Sequence, residues 1–218
     1  MIDYTPVRLN MVESQLRTNR VTDPGLIEAF EQVPRELFLP EALRSVAYVD
    51  KDLAIAEGRH MMEPRVLARL LQVAGPGPED VVLDIGCGTG YATALLARLS
   101  ATVVALECDA GLAGRANDIL QELEVGNAIV VEGPLNQGHA RQAPYNVILL
   151  NGGVAEVPPA ISGQLADGGR LVAVVRDAGG LGRATLVQRN GQVISGRVLF
   201  DASIPLLPGF EVEPGFVF

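Results

Sequence analysis

A doubly wound α/β fold with a mostly parallel sheet, a helical N-terminal segment and a C-terminal β-hairpin is predicted by three features of this 218-residue chain. From Glu79 onward, short apolar, β-branched runs alternate with helical patterns, as strands of a parallel sheet do between covering helices. The first run, Val81-Val82-Leu83-Asp84-Ile85, passes into Gly86-Cys87-Gly88-Thr89-Gly90, a buried strand entering a glycine-rich turn ahead of a helix. Before it, residues 1–75 place apolar side chains at helical spacing.

In the N-terminal segment the helical positions are Leu9, Val12 and Leu16, then Leu26, Ile27, Phe30 and Val33. Thr22-Asp23-Pro24 reads as a helix start, a capping side chain followed by a proline whose missing N–H is harmless in the first turn. Val33-Pro34 closes that helix and Phe38-Leu39-Pro40 adds an apolar anchor. Residues 48–55 read as extended and lead into a loop over 57–64. Val66, Leu67, Leu70, Leu71 and Val73 then mark a helix ending at Gly75-Pro76. In the second segment the spacing predicts strand 81–85, helix 91–99, strand 102–106, helix 110–123, strand 128–131, strand 147–150, a helix over 158–165 and strand 170–175. Runs 184–189 and 192–200 flank Asn190-Gly191, read as a hairpin with a type I′ turn. The segments 1–75 and 76–218 form one structural unit in this reading, the first carrying the substrate loop.

The net charge of −9 and the lack of a basic stripe argue against nucleic acid or an anionic membrane as partner. No apolar run approaches the ~20 residues of a membrane span. The N-terminus has no basic start and apolar stretch, so a cytoplasmic location is expected. Two cysteines, Cys87 and Cys108, and two histidines, His60 and His139, lack metal-ligand spacing, and no metal is expected. Both cysteines read as small buried thiols.

The turn after strand 81–85 is a ligand loop by its chemistry, because glycine permits positive φ and lets a ligand approach the backbone. Its spacing, Asp84-x-Gly86-x-Gly88-x-Gly90, differs from the G-x-G-x-x-G of dinucleotide sites, so a nicotinamide-dependent enzyme is the weaker reading. Glu107, closing the next strand, is placed to accept hydrogen bonds from two ribose hydroxyls.

These residues resemble class I S-adenosylmethionine-dependent methyltransferases, and the resemblance narrows to the protein-L-isoaspartate O-methyltransferase family. Met11-Val12-Glu13-Ser14-Gln15-Leu16-Arg17, Val33-Pro34-Arg35-Glu36-Leu37-Phe38 and Tyr48-Val49-Asp50-Lys51-Asp52-Leu53-Ala54-Ile55 carry it. So do Ala143-Pro144-Tyr145-Asn146-Val147-Ile148, Gln164-Leu165-Ala166-Asp167-Gly168-Gly169 and Ile204-Pro205-Leu206. The resemblance implies a Rossmann-like fold, S-adenosyl-L-methionine as cofactor, and methyl transfer to a carboxylate of an isoaspartyl protein or another acceptor. It also implies cofactor contacts from Asp84, Gly86, Cys87, Gly88, Gly90, Glu107 and Gly133.

The chain departs from the family at the acceptor side. Gly58-Arg59-His60-Met61-Met62-Glu63-Pro64 stands where the family has a hydroxyl-bearing loop, with Met62 at the active-site serine position and His60 at a threonine position. A thioether donates no hydrogen bond. Arg59 is then the expected bidentate clamp for the acceptor carboxylate, with His60 assisting. Gly133-Pro134-Leu135 replaces the adenine-reading Gly-Asp-Gly, and Pro205-Leu206-Leu207 replaces Pro-Leu-Thr. An alternative follows: a member that binds the cofactor but has lost isoaspartyl methylation and acts on another substrate or as a protein-interaction module.

Overall fold

The computed structural model describes residues 2–177 and 179–211; residues 212–218, the end of the second segment, lie outside the described set. Its centre is a seven-stranded sheet built from β3 (Val81–Ile85), β4 (Thr102–Glu107), β5 (Ala128–Glu132), β6 (Tyr145–Val154), β7 (Leu165–Arg176), β8 (Gly182–Asn190) and β9 (Val193–Asp201). The order is β5-β4-β3-β6-β7-β8-β9. The first five in that order run parallel, and β8 is antiparallel to both of its neighbours. Strand order reverses between β3 and β6, so the crevice beyond Ile85 and Leu150, which are paired in register, is the topological switch point where such sheets take ligands.

Side chains alternate across the sheet with a period of two. Val82, Val103, Val147, Leu149 and Val172 face one side, where they join the N-terminal helices in a single core. Leu83, Ile85, Val104, Ile148, Leu150 and Leu171 face the other, packed with Ile161 and Leu207. Most strand residues here are apolar because both faces are covered.

The helical pattern of the N-terminal segment appears as α1 (Thr5–Met11), continued by a π turn over Val12–Leu16, and as α2 (Pro24–Gln32). Asp23 Oδ1 accepts from the Leu26 N–H at 2.7 Å, so the capping reading holds. α3 (Pro64–Ala74) stops where Gly75 turns to φ +54°. α4 (Tyr91–Ala97) is two residues shorter than its pattern suggests. α5 (Ala110–Glu122) is capped by Asp109, whose Oδ1 accepts from Leu112 N–H at 2.9 Å.

Four sequence expectations are corrected. The segment read as extended followed by a loop is a hairpin of β1 (Leu53–Ala56) and β2 (Arg59–Met61), turning at Glu57-Gly58 with Gly58 at φ +66°. The helix over 158–165 shrinks to α6 (Pro159–Ser162), because Gln164 and Leu165 are drawn into the sheet, where the Gln164 carbonyl accepts from Tyr145 N–H at 2.9 Å. β8 runs on to Asn190, which pairs with Val193, leaving Gly191-Gln192 as the turn. Only Gly191 has positive φ, at +60°, which is the type II′ pattern rather than type I′. β6 also extends past 147–150 to Val154, because the glycines at 152 and 153 let a C-terminal strap lie against it. There Gly153 N–H donates to Pro205 O at 2.9 Å and Leu207 N–H to Gly153 O at 2.8 Å.

A methyl group at Gly153 would sit 2.6 Å from Ile204 O and 2.9 Å from Pro205 O. Gly153→Ala is therefore expected to destabilise the protein by about 1–3 kcal/mol as the strap is pushed off. A shift of the urea midpoint checks this, and an unchanged midpoint refutes it.

Candidate active site

The glycine loop between β3 and α4 takes positive φ at Gly86, Gly88 and Gly90 (+79°, +59° and +94°), exposing bare backbone at the switch point. Glu107 ends β4 beside it and is fully buried. Its Oε2 accepts from Gly88 N–H at 2.8 Å, and its Oε1 accepts from the Cys108 and Asp109 N–H groups at 2.8 and 3.1 Å.

The Arg59 guanidinium occupies the remaining side of that carboxylate. Nη1 donates to Oε1 and Nη2 to Oε2, the latter at 2.7 Å, in a bidentate pair. Arg59 is 5% exposed. Burial alone would lower the Arg59 pKa, and the Glu107 hydrogen bonds and charge outweigh it, so the guanidinium is held above its ordinary value. Glu107 mirrors this: burial works to raise its carboxyl, and Arg59 holds it below the ordinary range. Two expectations change accordingly. Arg59 is not a free clamp for an acceptor, because its fork is already committed. Glu107 does not present open acceptors to a ribose, because both oxygens are saturated.

The space over the loop is also filled. A methyl on Gly88 would lie 2.5 Å from Ile55 Cδ1, and one on Gly86 2.8 Å from Leu207 Cδ2. One on Gly152 would lie 2.6 Å from the same Leu207 side chain. What remains is a cavity of about 10 Å³, lined in part by Ile55, His60, Met62, Gly86, Gly88 and Asn151. That is about the space of one water, whereas small-molecule sites run to ~300–1,000 Å³.

The other predicted site residues fall as follows. Met62 lines the cavity yet is 1% exposed, and its carbonyl accepts from Arg35 Nη2 at 2.8 Å. His60 is half-buried on β2 opposite Ala54, with Nδ1 lacking a hydrogen-bond partner among the described residues. Cys87 is buried in the loop and burial pushes its thiol well up, whereas Cys108 is exposed, contrary to expectation. Cys108 follows the last residue of β4 and so lies where the chain leaves the covered sheet. Gly133 extends the β4–β5 pairing by donating to Glu107 O at 2.9 Å and does not line the cavity. Among the described residues no cluster of His, Cys, Asp or Glu could hold a metal ion.

Sequence reading missed three contributors. Arg35 is fully buried, donates to Ala47 O at 2.8 Å, and lies 4.8 Å from the Tyr91 ring centroid. It ties the Met62 strand end to the start of α4. Asp52 Oδ1 accepts from Glu63 N–H at 2.8 Å and fixes the exit of the hairpin. Ile55 acts as a plug, and its signal was present: alternating side chains on both sides of Glu57-Gly58 spell a hairpin.

Asp84, in the middle of the sheet, is fully buried with Oδ2 accepting from Thr93 Oγ1 at 2.7 Å and Oδ1 without a partner among the described residues. Burial pushes its carboxyl up from 3.8 to about 7. A folded pKa above the unfolded one gives stability that is complete below the unfolded value and is lost as pH rises through the folded value. Unfolding free energies at about pH 5 and about pH 8 should therefore fall for the wild type, and Asp84→Asn, which keeps an acceptor for Thr93, should flatten that fall. Identical pH dependence in both proteins would refute the assignment.

Comparisons with known proteins bear on the fold and the family. The family model "Protein-L-isoaspartate(D-aspartate) O-methyltransferase (PCMT)" matches residues 8–205. A protein-L-isoaspartate O-methyltransferase of Methanoculleus marisnigri is 37% identical over 214 residues, covering 95% of this chain and 96% of its own. One from Koribacter versatilis is 40% identical over 165 residues, covering 76% of this chain and 74% of its own. A solved protein-L-isoaspartate O-methyltransferase superposes with a TM-score of 0.81 at 26% identity, over 93% of this chain and 66% of that one. A Plasmodium falciparum protein of the same designation, in complex with S-adenosyl-L-homocysteine, gives 0.78 at 19% identity over 91% and 96% of the two chains, a likeness of fold. This chain belongs to the protein-L-isoaspartate(D-aspartate) O-methyltransferase family.

Proposed function

We propose that the protein is an S-adenosylmethionine-dependent O-methyltransferase whose acceptor is a carboxylate, the isoaspartyl group of a damaged protein being the first candidate. Membership of the family over residues 8–205 carries this reading. A carboxylate acceptor is ionised at neutral pH and calls for no general base, only for alignment. The N-terminal segment, residues 1–75, supplies the acceptor side through its hairpin, and residues from 76 onward the cofactor side. No helix among the described residues is long and apolar enough to cross a membrane, and with the acidic charge this supports a cytoplasmic protein without a nucleic-acid partner.

The residue types of the cradle suit the cofactor. Gly86, Cys87, Gly88 and Gly90 bring backbone to the cradle with their N–H groups already donated, Glu107 is an acid at the ribose position with its oxygens engaged, Gly133 sits at the β5 exit, and Asp84 Oδ1 lacks a donor among the described residues. The space does not: with Ile55 and Leu207 on the glycines and Arg59 on Glu107, the residues in this arrangement do not accommodate the cofactor. No step of transfer is therefore derived from this arrangement.

Buried Met62 favours a second reading, in which isoaspartyl transfer has been lost and the chain serves another substrate or a protein contact. Isotope-labelled methyl transfer to an isoaspartyl peptide separates the two. The first reading expects a base-labile methyl ester on that peptide and none on its aspartyl isomer. It also expects folded Met62→Ser to be faster by up to about 10²–10³, as restoring a pre-placed donor allows. No ester from either protein, with cofactor binding intact, would leave the second reading.

A further inference from the structure

The feature that the family assignment does not explain is a filled cradle. Three side chains fill it, and they come from two segments outside the parallel strands: Ile55 and Arg59 from the β1–β2 hairpin, Leu207 from the C-terminal strap. Leu207 and Ile55 act by bulk. Arg59 acts by chemistry, since it makes a bidentate pair with the one carboxylate expected to bind the ribose diol.

We propose that Arg59 is an internal competitor of the cofactor's ribose for Glu107, and so sets how tightly this protein holds its cofactor. The proposal rests on the S-adenosylmethionine reading and concerns the regulation of that same site.

Stoichiometry of hydrogen bonding carries it. A carboxylate has about four acceptor positions. Glu107 spends three on the backbone N–H groups of Gly88, Cys108 and Asp109, and Arg59 adds two further donors. Without Arg59 one position is left, on Oε2, whose other donor is the Gly88 N–H; with Arg59 seated none is, so the guanidinium and a ribose hydroxyl exclude each other there. The two are also unequal partners in burial. Releasing Arg59 demands that its hairpin swing outward into water, since an unpaired guanidinium does not stay in a dry site. Gly58, at φ +66° with nothing within 4 Å of an added methyl, turns the hairpin in open surroundings. The base of the hairpin is held separately, by Asp52 to the Glu63 N–H and by Arg35 to the Met62 carbonyl, so the tip can move while the base stays.

Removing Arg59 leaves Glu107 its three backbone donors and frees the part of the carboxylate that the guanidinium held. Charge-assisted hydrogen bonds are each worth enough that losing the competitor should tighten ligand binding by about tenfold to hundredfold.

The experiment is calorimetric titration of the full-length chain with S-adenosyl-L-homocysteine, comparing wild type with Arg59→Ala and Arg59→Gln. Arg59→Gln keeps the side-chain stem if Arg59→Ala does not fold, and circular dichroism confirms folding of each. Ile55→Ala is run beside them as a steric control that leaves the ion pair intact. Binding at least tenfold tighter in either Arg59 variant, with a smaller gain in Ile55→Ala, is the expected result. Equal or weaker binding by the folded Arg59 variants, with measurable binding by the wild type, overturns the competition and leaves the cofactor reading standing. An equal gain from Ile55→Ala would assign the closure to bulk and likewise overturn it. No binding by any folded protein overturns the cofactor reading itself, and the competition with it.

Discussion

The carboxylate of Glu107 is the point on which the site's architecture turns. It stands at the end of β4 and gathers donors from the glycine loop, from the start of the β4–α5 turn and from the hairpin tip. Three pieces of chain far apart in sequence are thereby fixed to one buried group. Arg59 and Glu107 are both nearly inaccessible to solvent, so neither could be lost singly without leaving the other charge buried. This pairing fixes the hairpin tip together with the burial of Leu53, Ile55 and Met61 in the core. Ile55 follows the tip into place, and the room over Gly88 disappears with it.

A second guanidinium does comparable work at the other end of the hairpin. Arg35 reaches the carbonyls of Ala47 and Met62 and stacks toward Tyr91, the first residue of α4. Thr89 Oγ1, in the glycine loop, donates to Phe38 O at 2.6 Å. The N-terminal segment is thus bolted to the loop through its backbone, with side chains of Phe38 and Phe30 packed on Tyr91. Met62 keeps its place as a core side chain whose carbonyl is used and whose thioether is not. The anchoring uses a backbone carbonyl that any residue at this position would supply, while the Met62 side chain adds packing.

What the sequence made legible was local. Strands with continuous apolar runs, the Asp23 cap, the Gly75 stop and the glycine loop are all written within about ten residues of themselves, and each contains the residues its pattern placed there, with β6 and β7 running longer. What was hidden was long-range. Arg59 meets Glu107 across 48 positions, and no periodicity encodes that meeting. On the sequence alone, a guanidinium beside an expected acceptor loop looks free to hold a substrate; folding shows it spent on Glu107. Leu207 is similar: a leucine in place of a family threonine reads as a lost contact, and in the fold it is a side chain laid across Gly86 and Gly152. The errors at α6 and at the Gly191 turn are smaller and have a local cause, since in both places sheet pairing captured residues that the pattern assigned to helix or turn.

The two acids of the cradle are pushed in opposite directions, and the contrast explains how the site can be closed without being dismantled. Asp84 is buried with one hydroxyl donor and no cation of its own, so burial dominates and its carboxyl rises to about 7. Glu107 is buried just as completely, but a bidentate guanidinium reverses the outcome. With Arg59 seated, the charge of Glu107 is balanced. With Arg59 withdrawn, only the three backbone donors would oppose the effect of burial on Glu107, beside a second acid whose carboxyl burial raises to about 7. A ligand that brings positive charge there would take over the part Arg59 plays in holding the carboxylate ionised. In its seat Arg59 therefore does more than fill a volume: it balances the charge of Glu107 beside the glycine loop.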